Sequence, residues 1–212
     1  MKIFISADIE GTTGIAHWNE TDRTKPDYKE FRRQMTAEVK AACEGINLAG
    51  AKEILIKDAH ASARNLKVSE LPENIKIIRE WSGHPFSMMQ GIDDSFNAAV
   101  FTGYHSRAGS DANTLAHTFT DDPMYIKING SYASEFLMNA YTAAYVGVPV
   151  VMLTGDKGLC EEEKNIIPNI TTVAVNEGKG SSSISIHPTK ASKMIKRAAK
   201  KAAAMPADEV EN

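Results

Sequence analysis

The chain has 212 residues and is 42% apolar, enough to enclose a sizeable core in one large domain or two small ones. Its net charge of −3 gives no support to nucleic-acid binding, which calls for a basic stripe. Two cysteines, Cys43 and Cys160, make neither a disulfide framework nor a Cys-x-x-Cys motif, and no apolar run approaches a membrane span. The opening stretch reads as a strand rather than a signal peptide, so the cytoplasm is the expected location.

That stretch, Met1 to Gly11, is an apolar run that ends in two acids, Asp8 and Glu10. Ile3, Phe4 and Ile5 read as a buried strand, and Gly11 lets the chain turn. If the extended backbone persists to Glu10, its period of two puts both carboxylates on one side. Such a pair is costly to bury unless something positive lies between, and a divalent metal suits. Asp8 could equally be a helix cap or turn residue. The loop that follows carries His17, expected at the surface, with substrate contact as the lesser alternative.

Tyr28, Phe31, Met35, Val39, Ala42 and Ile46 recur at steps of three and four, which predicts a helix over 28–48. Asp27 is its expected N-cap, Gly50 its stop, and Cys43 a packing residue. A second short strand, Ile54 to Ile56, again ends in metal-capable groups, Asp58 and His60. Strand, helix, strand predicts a βαβ unit and parallel pairing.

Ile75 to Trp81 reads as a third strand, followed by a turn at 82–85 and a short helix around Asp93 and Asp94. Ala98 to Tyr104 is a buried strand that runs into His105. Residues 106–114 read as a site loop leading to His117. Asn129-Gly130 marks a hairpin. A helix over 133–146 should turn Phe136, Leu137, Ala140, Tyr141 and Ala144 inward, with Ser134 as cap. Glu135 in its first turn is accounted for by the helix dipole alone. Val148 to Asp156 is a further buried strand, 159–167 a helix stopped by Pro168, and Thr171 to Val175 a short strand. Residues 178–183 read as a flexible loop. A lysine-rich helix, 188–205, should hold Ala191, Met194, Ile195, Ala198 and Ala202 on one side, its basic face solvated. The expected class is α/β, a mainly parallel sheet flanked by helices with a small hairpin insertion. Residues 1–205 form a single domain in this reading and 206–212 a flexible tail.

Three strand ends thus converge: Asp8 with Glu10, Asp58 with His60, and His105. Open α/β sheets bind ligands beyond the carboxyl ends of their strands. Imidazole with carboxylate suits zinc, and manganese or iron less specifically. Two such ions roughly 3.5–4 Å apart can clamp a nucleophilic water and a carbonyl. Spacing alone leaves two readings open, a metal hydrolase and a metal-free α/β domain.

At these residues the chain resembles the DppA-type D-aminopeptidases, the M55 zinc peptidases. The resemblance rests on Ser6-x-Asp8-x-Glu10-Gly11, Asn65-Leu66, Pro85 to Phe96, Gly103-Tyr104-His105 and Ala116-His117. It continues through Ile128-Asn129-Gly130, Glu135 with Asn139-Ala140-Tyr141, and Val148-Pro149-Val150. It covers nearly all of residues 1–175 and thins beyond; family members continue several tens of residues past the end of this chain.

The resemblance implies a zinc aminopeptidase that removes N-terminal D-residues, typically D-alanine, from short peptides. It implies two zinc ions per chain on Asp8, Glu10, His60, His105 and Glu135, with Asp8 as the bridge. It makes His117 the catalytic histidine, as proton shuttle, oxyanion stabiliser or nucleophile. It also implies a homodecameric ring. Spacing would not have chosen Glu135 over Asp156.

Two alternatives stand beside this. One is a metal- or peptide-binding member of the fold without turnover. The other is a metal-dependent exonuclease, since Asp8-Ile9-Glu10-Gly11-Thr12 resembles its first acidic motif. That class needs a late His or Tyr motif ending in Asp. Ala108 and Ser110 stand where Tyr104 and His105 would need that acid.

Overall fold

A computed structural model describes residues 1–205; the expected tail, 206–212, lies outside the described residues. The chain runs β1 (Lys2–Ala7), α1 (Tyr28–Leu48), β2 (Glu53–Asp58), β3 (Ile75–Ile78), β4 (Ala98–Tyr104) and the hairpin β5 (Lys127–Ile128) and β6 (Ser131–Tyr132). It continues through α2 (Glu135–Tyr145), β7 (Val150–Asp156), α3 (Lys157–Lys164), β8 (Thr171–Lys179), β9 (Ser182–Ser185) and α4 (Pro188–Ala203). Seven strands form one sheet in the order β3-β2-β1-β4-β7-β8-β9, parallel throughout except for β9. This is the α/β class read from the sequence, and the Asn129-Gly130 hairpin is the small insertion beside it.

Alternation along the strands splits the core into two layers. Ile3 and Ile5 pack with Ile46 of α1 and Ile195 of α4 on one face. Phe4 packs with Phe101 and with Phe136 of α2 on the other. The chain leaves β1 toward β2 on one side, and β4 pairs on its other side. A crevice therefore opens at the carboxyl ends of β1 and β4, where the strand order reverses.

Helix α1 ends as expected. Gly50, at φ +92°, donates its N–H to the Asn47 carbonyl, and Ala51 reaches back to that of Ile46, a Schellman stop. Its start differs: Asp27 is already helical and makes no side-chain cap bond, while the Pro26 carbonyl accepts the N–H of Lys29. Ser134 does cap α2, accepting the N–H of Leu137 at 2.9 Å.

Several expected elements are corrected. β1 stops at Ala7, Asp8 follows it directly, and a turn, Thr12 N–H to the Ile9 carbonyl, carries Glu10. No helix forms around Asp93; its carboxylate accepts the N–H of Ser95 and holds a turn, leaving only a 3-10 turn at Ser87–Met89. Tyr141 and Ala144 are exposed, and Ala143 takes the inward place on α2. α3 ends at Lys164 rather than 167. The expected loop at 178–183 is the end of β8 turning into β9, paired from Asn176–Ser185 to Lys179–Ser182. In that hairpin every register position but Ile184 is a polar residue or glycine, which hides the strands from hydropathy.

The crevice depends on a close backbone approach. Asp8 and Gly11 donate their N–H groups to the carbonyls of Thr102 and Gly103, both at 2.8 Å. A Cβ on Gly11 would stand 1.7 Å from the Tyr104 carbonyl oxygen. Gly11→Ala should therefore destabilise the fold by about 2 kcal/mol or more, read as a lower Tm. An unchanged Tm would contradict this account of how the two strand ends meet.

Candidate metal centre

Five elements deliver the site. Asp8 directly follows β1 and Glu10 sits in the turn after it, His60 lies two residues past β2, and His105 directly after β4. Glu135 is the first residue of α2, and His117 lies in the loop between β4 and β5. All but His117 are buried, and its side chain is only 13% exposed. The structure thus brings together the six residues that the family resemblance implied.

Their contacts form a chain. His60 Nδ1 lies 3.0 Å from Glu10 Oε1 and 3.5 Å from Asp8 Oδ1. His105 Nε2 lies 3.6 Å from Asp8 Oδ2 and 3.5 Å from Glu135 Oε1. His117 Nε2 lies 3.4 Å from the same Glu135 oxygen. Asp8 therefore offers one oxygen to each side of the cluster. Among the described residues two groups have metal-ligand spacing, Asp8 with Glu10 and His105, and His105 with His117 and Glu135.

The histidines are oriented from behind. His60 Nε2 faces the Thr21 carbonyl at 3.0 Å, His105 Nδ1 that of Ser106 at 2.9 Å, and His117 Nδ1 that of Leu115 at 2.8 Å. A carbonyl oxygen cannot donate, so each of these nitrogens carries a proton. The opposite nitrogen of each ring is turned toward the carboxylates. This is the tautomer control that metal-ligating imidazoles use.

The buried acids and imidazoles shift one another. Burial, aided by Glu10, pushes the Asp8 carboxyl up to about 7. Burial opposes charge on His105, yet the carboxylate of Glu135 beside it and the surrounding acids push it up to about 10. Burial likewise opposes charge on His60, and Glu10 with Asp8 outweighs it, raising the ring well above its ordinary value. Asp8 Oδ2, Glu10 Oε2 and His105 Nε2 are buried without a hydrogen-bond partner. Buried polar atoms are seldom left this way. A mixed set of imidazole and carboxylate donors fits zinc, and a cation among Asp8, Glu10 and His105 would give these residues the partner they lack.

Other acids at the same sheet edge are already engaged. Asp58 accepts the N–H groups of Asn65 and Leu66 at 2.6 and 2.8 Å and holds the loop after β2. Asp156 accepts from Ser106 N and Oγ, both at 2.6 Å, and caps α3 through Leu159 N. His17 turns away and caps a 3-10 turn through Asn19 N. Glu135 accepts Phe119 N–H at 2.7 Å, with Phe119 held at φ +62°. That strained backbone sits at the rim of a cleft of about 480 Å³, which Trp18, Trp81 and Met88 also line. The tryptophans gave no signal in the sequence, because isolated aromatics in loops have no periodicity. Trp18 meets the His117 ring edge-on at 5.2 Å, and that ring stacks flat on His105 at 4.2 Å.

Residues 1–211 match the M55 peptidase family, described as D-aminopeptidase. The chain belongs to this family. It is 35% identical over 198 residues to a D-aminopeptidase of Bacillus subtilis (strain 168), covering 92% of this chain and 71% of that protein. Its fold matches a solved structure described as the Zn-dependent D-aminopeptidase DppA from Bacillus subtilis, a self-compartmentalizing protease. There the TM-score is 0.91 and the identity 32%, over 95% of this chain and 73% of that one. The M55 assignment and the α/β fold expected from the sequence are thus both borne out.

In this M55 chain a buried acid outside the cluster supports it. Glu163 of α3 accepts the Ser134 hydroxyl at 2.5 Å, and Ser134 caps the helix that begins with Glu135. Burial pushes the Glu163 carboxyl up to about 7 from an ordinary 4.5. Between those values the folded chain binds more protons than the unfolded one, so this group's contribution falls as pH rises through that window. Glu163→Gln should therefore shrink the loss of Tm between about pH 5 and about pH 8. A variant that loses Tm as steeply as wild type would contradict this.

Proposed function

We propose that the chain is a zinc-dependent aminopeptidase that hydrolyses N-terminal D-residues, D-alanine foremost, from short peptides. The observation that carries this is the cluster of three carboxylates and three back-oriented imidazoles with unsatisfied buried atoms facing one another. The relative's description as Zn-dependent supports zinc for this site. Asp8, Glu10, His60, His105 and Glu135 would hold two ions per chain, with Asp8 shared because its two oxygens face opposite sides. When bound, zinc supplies a polarising charge for the scissile carbonyl and lowers the pKa of water to about 7.

The chain's own residues do the rest. His117 Nδ1–H is committed to the Leu115 carbonyl, so Nε2 is the atom that takes and gives a proton. It is the most accessible of the three ring systems and lines the cleft, where a departing amine can meet it. Glu135 beside it stabilises the charged imidazole that forms. Trp18 and Trp81 wall the cleft and limit water around the reacting amide.

We further propose a single domain over residues 1–205, a cytoplasmic location, and a homo-oligomer, a decamer by family resemblance. The relative's description as self-compartmentalizing supports assembly. Exposed Met124, Tyr125 and Tyr145 offer apolar surface for it. Among the described residues no helix is long and apolar enough to cross a membrane.

The direct test is turnover of D-alanyl dipeptides and tripeptides by the purified protein. Chelation should abolish it and added zinc restore it. His117→Ala should keep its metal and lose about a hundredfold or more in kcat. Zinc-loaded protein that binds these peptides without cleaving them would replace the enzyme with a binding protein. Loss of metal from His117→Ala would make that histidine a ligand, as its spacing to His105 and Glu135 also allows.

A further inference from the structure

A second cavity of about 480 Å³ opens beside the cleft and shares four of its walls, Trp18, His60, Ala61 and Asp121. Arg23 and Lys25, both exposed, line it and do not line the cleft. The segment is tied to the cluster: the Thr21 carbonyl that orients His60 lies two residues before Arg23. Neither Arg23 nor Lys25 makes an ion pair among the described residues. The neighbouring acid, Asp22, spends Oδ1 on Thr24, accepting its N–H and its hydroxyl, both at 2.8 Å. Asp121, the other acid of this cavity, stands at the junction with the cleft.

Resting on the peptidase reading, we propose that Arg23, assisted by Lys25, binds the C-terminal carboxylate of a short peptide whose first residue lies over the cluster. In this reading the peptide runs over His60 and Ala61, which line both cavities. The scissile amide then lies on the cluster side and the free end among the cations. Guanidinium offers a carboxylate two parallel N–H donors, a geometry no neighbouring acid claims. Each added residue extends the chain by about 3.5 Å, so the carboxylate of one peptide length meets Arg23 best. The site thus selects short free-acid peptides over amidated or long ones.

The test compares D-alanyl dipeptides, tripeptides and tetrapeptides, each as free acid and C-terminal amide, on wild type and Arg23→Gln. Wild type should favour the free acid of its best length roughly tenfold in kcat/KM. Arg23→Gln should raise KM for that peptide by a similar factor, leave kcat and the amide unchanged, and keep the wild-type Tm. Lys25→Gln should show the same change, smaller. Equal use of acid and amide by wild type, or an equal loss on both in Arg23→Gln, overturns the proposal. If no peptide is cleaved, the peptidase reading fails by itself. Calorimetry with the same pairs on zinc-loaded protein then decides the carboxylate subsite: tighter binding of the acid, lost in Arg23→Gln, supports it, and equal binding overturns it.

Discussion

Three carboxylates, Asp8, Glu10 and Glu135, are buried against one another at the crevice of the sheet. Burying like charges is costly, and the surrounding structure is arranged around that cost. The imidazoles of His60 and His105 stand between the acids. Their outer nitrogens are fixed by main-chain carbonyls, so the inner ones have no freedom to turn away. Protons can neutralise such a cluster, but they leave Asp8 Oδ2, Glu10 Oε2 and His105 Nε2 unsatisfied. A cation meets the same need by accepting lone pairs from several of these atoms at once. The cluster is therefore understood best as a site shaped for metal and only compensated by protons without it.

The scaffold keeps this arrangement from relaxing. Gly11 and Gly103 let the acid-bearing turn lie against the end of β4, where any side chain would strike backbone. Asp58 and Asp156, which share the sheet edge, are supplied with N–H and, for Asp156, hydroxyl donors and pin the loops that carry His60 and His105. Glu163 holds the cap of the helix that presents Glu135. Acids of the same type at the same edge thus divide into two kinds, those with donors already supplied by the chain and those without.

Much of this was legible in the sequence. The buried strands β1, β2, β4 and β7 are apolar runs, and α1 has a clean stripe of three and four, so class and order followed. The strand-end groups Asp8, Glu10, His60 and His105 could be read because a parallel sheet brings its carboxyl ends together. Glu135 could not, since it arrives on a helix N-terminus where an acid is ordinary, and only the family resemblance singled it out. The polar β8–β9 hairpin escaped because it lies at the sheet edge with little apolar surface to bury. Tyr141 was misplaced for a similar reason: an amphipathic pattern marks a stripe, and a tyrosine at its margin can face either way.

The central claim is that the buried cluster is a two-ion metal centre, and metal content per chain tests it most directly. Protein purified without added metal would be analysed for zinc, alongside Asp8→Ala. The account predicts about two zinc ions per chain in wild type, falling sharply once the shared carboxylate is gone. Protein that contains no metal and takes up none when zinc is supplied would contradict it, and the cluster would then be a proton-neutralised structural feature.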